Sequence, residues 1–254
     1  MSPSAVLQHA RDQVYERGYA VIPDVFTAAD TAPVAATAMQ VGLHEMQRDP
    51  SPFTVDHGTD GLRRPRKVDY PFQKHPAFRE FILDRRITDL AAAVLGEPAY
   101  LMRDQLFCKP PHFGTAKPYH QENASTGYQP ADSMIITWIA LDDATSENGC
   151  LRVIDDSHRT LWPHRPQPDA VYNHVPPPEA VDLDREVLLP VPAGGVVVLH
   201  SQVLHYSAAN HSEHWRRAYT GHWVTAGITC TTDAQRYGYS RTAGGGERLS
   251  FRAP

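Results

Sequence analysis

The stretch GGVVVLHSQVLHYSAANHSEHWRRAYTGHWV, residues 194–224, contains the two apolar segments that decide the fold. The segments GVVVLH and RAYTGHWV are rich in β-branched and aromatic residues, which favour strands. The turn sequence PAGG precedes the first segment, and the polar sequence SAANHSEH separates it from the second. This pattern predicts core β-strands that are joined by turns and polar loops.

The rest of the chain divides into a helical part and a strand-rich part. AYLMRDQLFCK, SMIITWIALDD, GCLRVI and EVLLPV resemble the two segments above, and they all follow Gly96. Before it, residues 75–96 carry an apolar stripe at helical spacing that is interrupted near Asp84, and Thr27 is placed to cap another helix. We therefore predict a mainly β fold, an antiparallel barrel or sandwich backed by N-terminal helices.

These boundaries predict a single domain in three parts. The helical part covers about residues 1–96 and the β core about residues 97–227. A flexible tail is expected over 228–254, where three glycines stand at 244–246. Two polar or proline-rich segments, 48–61 and 160–182, are expected to be loops that cover a site, because long loops in compact domains are often functional.

Composition argues against several classes of partner. The 254 residues carry a net charge of −5, whereas nucleic acids and anionic membranes attract basic surfaces. We find neither an apolar run of membrane-spanning length nor a signal peptide in the sequence. The cysteines are odd in number and widely spaced, as expected of reduced thiols in a cytoplasmic protein: Cys108, Cys150 and Cys230.

A candidate metal site begins in YHQENASTGY, residues 119–128. On a strand, residues i and i+2 project from one face, so His120 and Glu122 would offer a nitrogen and an oxygen to one ion. His205, near the end of a predicted core strand, is the best third ligand. Two histidines and one carboxylate leave coordination positions open, which is typical of non-heme Fe(II) oxygenases that act on small molecules.

An open iron site of this kind needs a co-substrate. If that is 2-oxoglutarate, its far carboxylate needs a buried cation. Arg216 lies eleven residues after His205, a spacing that lets the chain turn and return beside the ligand strand. Arginine suits a planar carboxylate because it donates two parallel hydrogen bonds. Arg217 is the neighbouring alternative, and Ser207 would add a hydroxyl donor on the side of His205.

Three motifs together resemble the phytanoyl-CoA dioxygenase family of Fe(II)/2-oxoglutarate oxygenases. They are HQEN, TWIALDDATSENGCLRVI and GGVVVLHSQVLHYSAANHSEHWRR. The resemblance implies a double-stranded β-helix of the jelly-roll or cupin-like kind, with iron held by His120, Glu122 and His205. It also implies 2-oxoglutarate contacts from Lys67, Met102, Trp138, Ser207 and Arg216. Gln105, on the predicted strand of Met102, is a further candidate contact.

The implied activity is a dioxygenase reaction. With Fe(II), 2-oxoglutarate and O2, the enzyme would release succinate and CO2 while it hydroxylates or oxidatively cyclises an unactivated C–H bond. We expect the substrate to be a small polar metabolite of bacterial secondary metabolism, either sugar-containing or amine-bearing. A phosphate-rich CoA thioester fits less well, because the chain is not strongly basic near the motifs.

The sequence departs from the family pattern at two places. Glu122 stands where the family usually has aspartate, so the ligand must fold back or the strand must shift to accommodate an extra methylene. IDDSHR, residues 154–159, replaces the common P-G-S-H turn. Halogenating relatives carry a small residue in place of the carboxylate, so Glu122 also argues against halogenation.

Two other functions stay open at this point. One is an O2-independent, metal-dependent β-barrel isomerase or lyase, which has no need for the clamp that Arg216 would provide. The other is a binding protein that has lost activity, against which the complete set of three ligands argues.

Overall fold

A computed structural model describes residues 2–58, 61–167, 170–230 and 249–251. The α-helices are α1 Pro3–Arg17, α2 Ala28–Arg48, α3 Pro71–Lys74, α4 Pro76–Ile82, α5 Arg85–Leu95 and α6 Asn123–Thr126. The strands are β1 Tyr19–Ile22, β2 Val55–His57, β3 Arg63–Pro65, β4 Lys67–Asp69, β5 Ala99–Lys109, β6 Lys117–His120, β7 Tyr128–Gln129, β8 Met134–Ala140, β9 Leu151–Ile154, β10 Arg165–Gln167, β11 Ala170–Val175, β12 Glu186–Leu189, β13 Val196–His200, β14 His205–Ser207, β15 Arg216–Val224, β16 Thr229–Cys230 and β17 Leu249–Phe251.

The helices begin and end where their capping residues lie. Thr27 and Asp30 form a reciprocal capping box at the start of α2. The predicted helical region 75–96 is interrupted after Ile82, and the Asp84 side chain accepts a hydrogen bond from the backbone at the start of α5. Gly96 ends α5 with a positive φ of 76°, a conformation that glycine adopts easily. The predicted break near Asp84 and the predicted cap at Thr27 are confirmed.

Two antiparallel sheets build the β part of the molecule. The larger sheet has the order β1-β13-β8-β15-β5-β17, with β4 also paired to β5. The smaller sheet has the order β12-β9-β14-β6. All these pairings are antiparallel, and consecutive strands often lie in different sheets. The result is a double-stranded β-helix, so the predicted fold class is confirmed.

The two faces of the larger sheet pack into different hydrophobic clusters. Tyr219 and Trp223 of β15 pack outward in the cluster that joins the sheet to the helices. Ala218 and Val224 of the same strand, with Trp138 of β8, pack inward between the sheets. This alternation follows from the two-residue period of a strand. Inward-facing polar residues of β15 therefore point into the space between the sheets.

The division into three parts is less strict than the composition indicated. β1 and β4 come from the part expected to be helical, yet they belong to the larger sheet. β17 joins that sheet from within the segment expected to be a tail, and the glycines at 244–246 lie outside the described residues. The expected loop 160–182 contains a short hairpin, β10–β11, and the expected loop 48–61 contains β2, which pairs with β3 just beyond its end.

Two further sequence-based expectations concern cysteines and membranes. Cys108 and Cys150 are buried free thiols, whereas the side chain of Cys230 lies outside the described residues. Within the described ranges, none of the helices has the length and apolar character needed to cross a bilayer.

Candidate metal centre

The three predicted ligands come from neighbouring points of the smaller sheet. His120 is the last residue of β6, and His205 is the first residue of β14. Their Cα atoms are directly paired across the antiparallel ladder. Glu122 follows β6 as the N-cap of α6, with helical backbone angles of φ −58° and ψ −40°. Strand pairing thus brings the histidines together, and the turn into α6 adds the carboxylate.

The ligand atoms are close enough to bind one ion. They all lie within 4.8 Å of one another. The Nε2 atom of His120 is 3.2 Å from Oε1 of Glu122, and Nε2 of His205 is 3.8 Å from the same oxygen. The two imidazole centroids are 4.1 Å apart. In the described part of the chain, this is the one group of three or more such side chains with that geometry.

The other ring nitrogen of each histidine is held by the backbone. Nδ1 of His120 lies 2.9 Å from the carbonyl oxygen of Pro118, and Nδ1 of His205 lies 3.1 Å from that of Val203. A carbonyl only accepts, so each Nδ1 donates a proton and each Nε2 keeps its lone pair for a metal. Backbone bonds of this kind orient metal-binding histidines and fix their tautomer.

Burial sets the protonation of the cluster. It is the main reason that the pKa of His205 falls to about 3, with a contribution from nearby His120. Burial is also the largest influence on Glu122 and opposes its ionisation. The influence of the surrounding histidines, His120 foremost, nevertheless holds the pKa of Glu122 well below its usual value. Neutral imidazole and ionised carboxylate are the forms that bind metals.

Two of the local expectations about these ligands are wrong. Glu122 does not lie two positions along a strand from His120, because β6 ends at His120 and the chain turns into α6. His205 does not end the strand that starts after PAGG. That strand, β13, belongs to the larger sheet and stops at His200, and the chain then crosses to the smaller sheet. The three predicted ligands nevertheless lie together, as expected.

Gln121, between the two ligands of its loop, points away from them and is almost fully buried. Its amide nitrogen donates to the carbonyls of Thr160, at 2.7 Å, and Gln202, at 2.5 Å. Its amide oxygen accepts from the backbone N–H of Trp162 at 2.9 Å. One side chain therefore ties the loop of His120 and Glu122 to the segment just before the third ligand and to the start of the covering loop.

Arg216 lies on the inner face of the larger sheet with 2% of its surface exposed. Its guanidinium carbon is 5.5 Å from the centre of the Trp138 ring, and its Nε atom has no hydrogen-bond partner. Burial lowers the pKa of Arg216 to about 10. Arg217 instead pairs with Asp142 on the opposite face, at 2.7 Å. The expectation that Arg216 returns beside the ligand strand is wrong, because β15 pairs with β5 and β8 in the other sheet.

The remaining predicted residues occupy the same interior. Met102 and Trp138 belong to the apolar cluster between the sheets, and Ser207 is buried two residues after His205. Lys67 pairs with Asp69 at 2.9 Å, and Gln105 donates to the same carboxylate at 2.6 Å. Lys67 and Gln105 are therefore neighbours that share one partner.

Sequence reasoning missed several polar residues of this interior. Asp69 also pairs with Arg103 at 2.9 Å, and the charges beside Asp69 lower its pKa to about 2 despite burial. His222 is buried on the inner face of β15, where burial lowers its pKa to about 4. The sequence did contain a signal for His222 and Arg103. Residues at even spacing share one face of a strand, so His222 lies on the face of Arg216, and Arg103 lies on the face of Gln105.

A hairpin from the proline-rich segment reaches this interior. Lys117, three residues before His120, donates to the side-chain oxygen of Asn173 in β11 at 2.9 Å. Nε2 of His164 accepts the backbone N–H of Gln121 at 3.0 Å. The expected covering loop 160–182 therefore contacts the ligand-bearing loop at several points.

A double-stranded β-helix with two histidines and one carboxylate at one place defines a class of protein, the jelly-roll proteins with a facial metal-binding group. Within this class, residues 14–218 match the phytanoyl-CoA dioxygenase family (PhyH). The chain belongs to this dioxygenase family.

Known proteins of similar sequence and fold agree with this assignment. The mouse phytanoyl-CoA dioxygenase domain-containing protein 1 is 32% identical over 171 residues, which are 64% of this chain and 58% of the mouse protein. The chain thus spans little more than half the length of that relative.

Solved structures share the fold at lower identity. The α-ketoglutarate-dependent epimerase SnoN of nogalamycin biosynthesis, in complex with Fe3+, α-ketoglutarate and nogalamycin RO, has a TM-score of 0.72 and 19% identity, with 98% of this chain and 95% of that chain covered. EvdO2 from Micromonospora carbonacea var. aurantiaca, complexed with 2-oxoglutarate, has a TM-score of 0.69 and 23% identity, with 89% and 93% covered.

Proposed function

We propose that this protein is a non-heme Fe(II)- and 2-oxoglutarate-dependent dioxygenase. It oxidises an unactivated C–H bond of a small polar metabolite, by hydroxylation or oxidative ring closure, and releases succinate and CO2. The observation that carries the proposal is the joint presence of the His120–Glu122–His205 group and a buried arginine whose Nε lacks a partner. Similarity in fold to enzymes of nogalamycin biosynthesis supports a role in bacterial secondary metabolism.

The residues present fit both groups that this activity requires. Two neutral imidazoles and one carboxylate suit Fe(II) and leave positions for a chelating co-substrate. In the part of the chain that the structure describes, Arg216 has no carboxylate partner, although an unpaired buried cation is costly. The far carboxylate of 2-oxoglutarate would remove that cost by accepting two hydrogen bonds from the guanidinium.

Each side chain has a separate task in this proposal. When bound, Fe(II) and 2-oxoglutarate supply the oxidative chemistry by reaction with O2. His120 and His205 bind through Nε2 because the backbone holds their Nδ1 protons, and Glu122 supplies the third bond. Arg216 anchors the far carboxylate over Trp138.

The other predicted residues and the covering hairpin have further roles in this proposal. Lys67 and Gln105, which share Asp69, would contact the carboxylate nearer the metal. Met102 and Ser207 line the same interior. The β10–β11 hairpin excludes water above the site, as lids do in many enzymes.

The test is anaerobic absorption spectroscopy with Fe(II) and 2-oxoglutarate. We expect the weak visible charge-transfer band of iron chelated by 2-oxoglutarate in the wild type and none in Glu122→Ala. In Arg216→Met the loss of two charge-assisted hydrogen bonds weakens 2-oxoglutarate binding by about 2–4 kcal/mol, or roughly 30- to 1000-fold. Arg217→Met is the matched control, because that guanidinium faces Asp142 on the other side of the same strand.

Two results would contradict the proposal. One is a wild-type protein that binds Zn(II) or Ni(II) tightly but shows no band with Fe(II) and 2-oxoglutarate, which would favour the O2-independent isomerase or lyase. The other is an Arg216→Met variant that binds 2-oxoglutarate as tightly as Arg217→Met. If the band forms, succinate release in air with a panel of polar metabolites then identifies the substrate.

A further inference from the structure

The interior beside the metal group carries more positive than negative charge. Lys67, Arg103 and Lys117 approach it from β4, β5 and β6. Asp69 pairs with the first two, at 2.9 Å in each case. The charge of Lys117 acts on His205, and Glu122 is the acidic group whose charge acts on Lys117. The local balance is thus opposite to the net charge of −5 of the whole chain.

Across the described ranges, Lys67 and Arg103 each pair with a carboxylate, whereas Lys117 does not. Its ammonium donates to the side-chain oxygen of Asn173, a neutral amide, at 2.9 Å. No carboxylate lies within ion-pair distance of it among the residues that the structure describes. An ammonium has three donors, and burial without a counter-ion lowers the pKa of Lys117 to about 8. Among the described residues, Asn173 is thus the one hydrogen-bond partner of this ammonium.

The position of Lys117 separates it from the proposed 2-oxoglutarate contacts. Arg216, the proposed anchor of the far carboxylate, lies beside Trp138 in the larger sheet. Lys117 lies instead in β6, three residues before His120, under the covering hairpin. A substrate that enters between the metal group and this cover would pass Lys117.

We propose that the substrate carries an oxyanion, a carboxylate or a sulfate or phosphate ester, and that the Lys117 ammonium binds it. This inference rests on the proposed function, because it assigns a substrate class to the same site. An oxyanion would supply the missing counter-ion of Lys117, and its hydrogen bonds to an ammonium are of the strong, charge-assisted kind. The amine-bearing class of metabolite is disfavoured, because its cation would meet three cations and, outside the metal group, one carboxylate, Asp69.

The test uses small aromatic probes of matched shape and different charge. Benzoate and phenyl phosphate represent the two oxyanion types, benzamide is the neutral isostere, and benzylamine is the cation. Each is titrated by calorimetry into protein loaded with Zn(II) and 2-oxoglutarate, which blocks turnover and fills the Arg216 site. We expect at least one oxyanion to bind about tenfold or more tightly than benzamide and benzylamine, and Lys117→Met to remove this preference.

Asn173→Ala is the matched control, because it removes the contact of Lys117 with the hairpin and keeps the ammonium. The preference should survive in this variant. A preference that persists in Lys117→Met, or equal binding of benzylamine and the oxyanions by the wild type, would overturn the inference. The anaerobic iron band is recorded on the same samples: its absence would refute the dioxygenase proposal, while the dependence of binding on Lys117 would still decide the oxyanion site.

Discussion

Replacement of Gln121 by alanine should weaken the whole metal centre, although this side chain does not face the metal. The amide makes three hydrogen bonds, to the carbonyls of Thr160 and Gln202 and from the N–H of Trp162. Each contributes about 1 kcal/mol net, so the change should cost about 3 kcal/mol of unfolding free energy. In a chain of this size that corresponds to a fall in Tm of roughly 6–12 °C.

The same substitution should loosen the ligand geometry. Gln121 separates His120 from Glu122, and its bond to Gln202 holds the segment that leads into His205. Loss of groups that orient metal ligands commonly weakens metal binding by about 10- to 100-fold. We therefore expect Co(II) affinity, measured by competition with a chromophoric chelator at 10 °C where the variant stays folded, to fall by at least tenfold.

The control is Gln40→Ala, at an exposed position of α2, which should change the unfolding free energy by less than about 0.5 kcal/mol. A Gln121→Ala variant with the Tm and Co(II) affinity of Gln40→Ala would refute the reasoning. A lower Tm with unchanged Co(II) affinity would show that Gln121 supports the fold but does not position the ligands.

Three other changes have defined outcomes. Glu122→Asp shortens the reach from the helical N-cap, so Co(II) affinity should fall by about tenfold, and an unchanged affinity would show that the backbone adjusts. Lys117→Met removes a cation whose pKa is lowered to about 8 in the folded protein, so the protein gains stability relative to wild type below pH 8. This gain should shrink as pH rises from about 8 to about 10.4, the unfolded value, in urea titrations at pH 7 and pH 10. Thr27→Ala removes a capping box and should cost about 1 kcal/mol in thermal unfolding, whereas a cost near zero would mean that α2 does not depend on its cap.

Local signals were enough for most elements of the fold. The caps at Thr27, Asp84 and Gly96 mark helix ends because each supplies a bond or a backbone angle that the end requires. The apolar, β-branched segments after Gly96 were recognised as strands for the same kind of local reason. Sheet membership is not local, so the crossing from β13 in one sheet to β14 in the other could not be inferred from residues 194–207.

The sequence predicted which residues form the metal group, but not which helices and strands carry them. Strand alternation grouped His120 with Glu122, yet the carboxylate comes from a helical turn, since the strand ends at His120, two residues before Glu122. The Asp69 cluster was missed because its partners lie far apart in sequence, on β4 and β5. Their neighbourhood depends on a strand pairing that joins residues 67–69 to 105–107.

Local charge favours a different substrate class from the one that composition favoured. A net charge of −5 describes the outer surface and the approach of large partners, where solvent screens each group. A small substrate meets only the interior, where Lys67, Arg103 and Lys117 face a single carboxylate outside the metal group. Charges there are weakly screened, so three side chains of one sign outweigh a modest excess of the other sign elsewhere. Selection of an anionic metabolite by an acidic protein is therefore consistent with electrostatics.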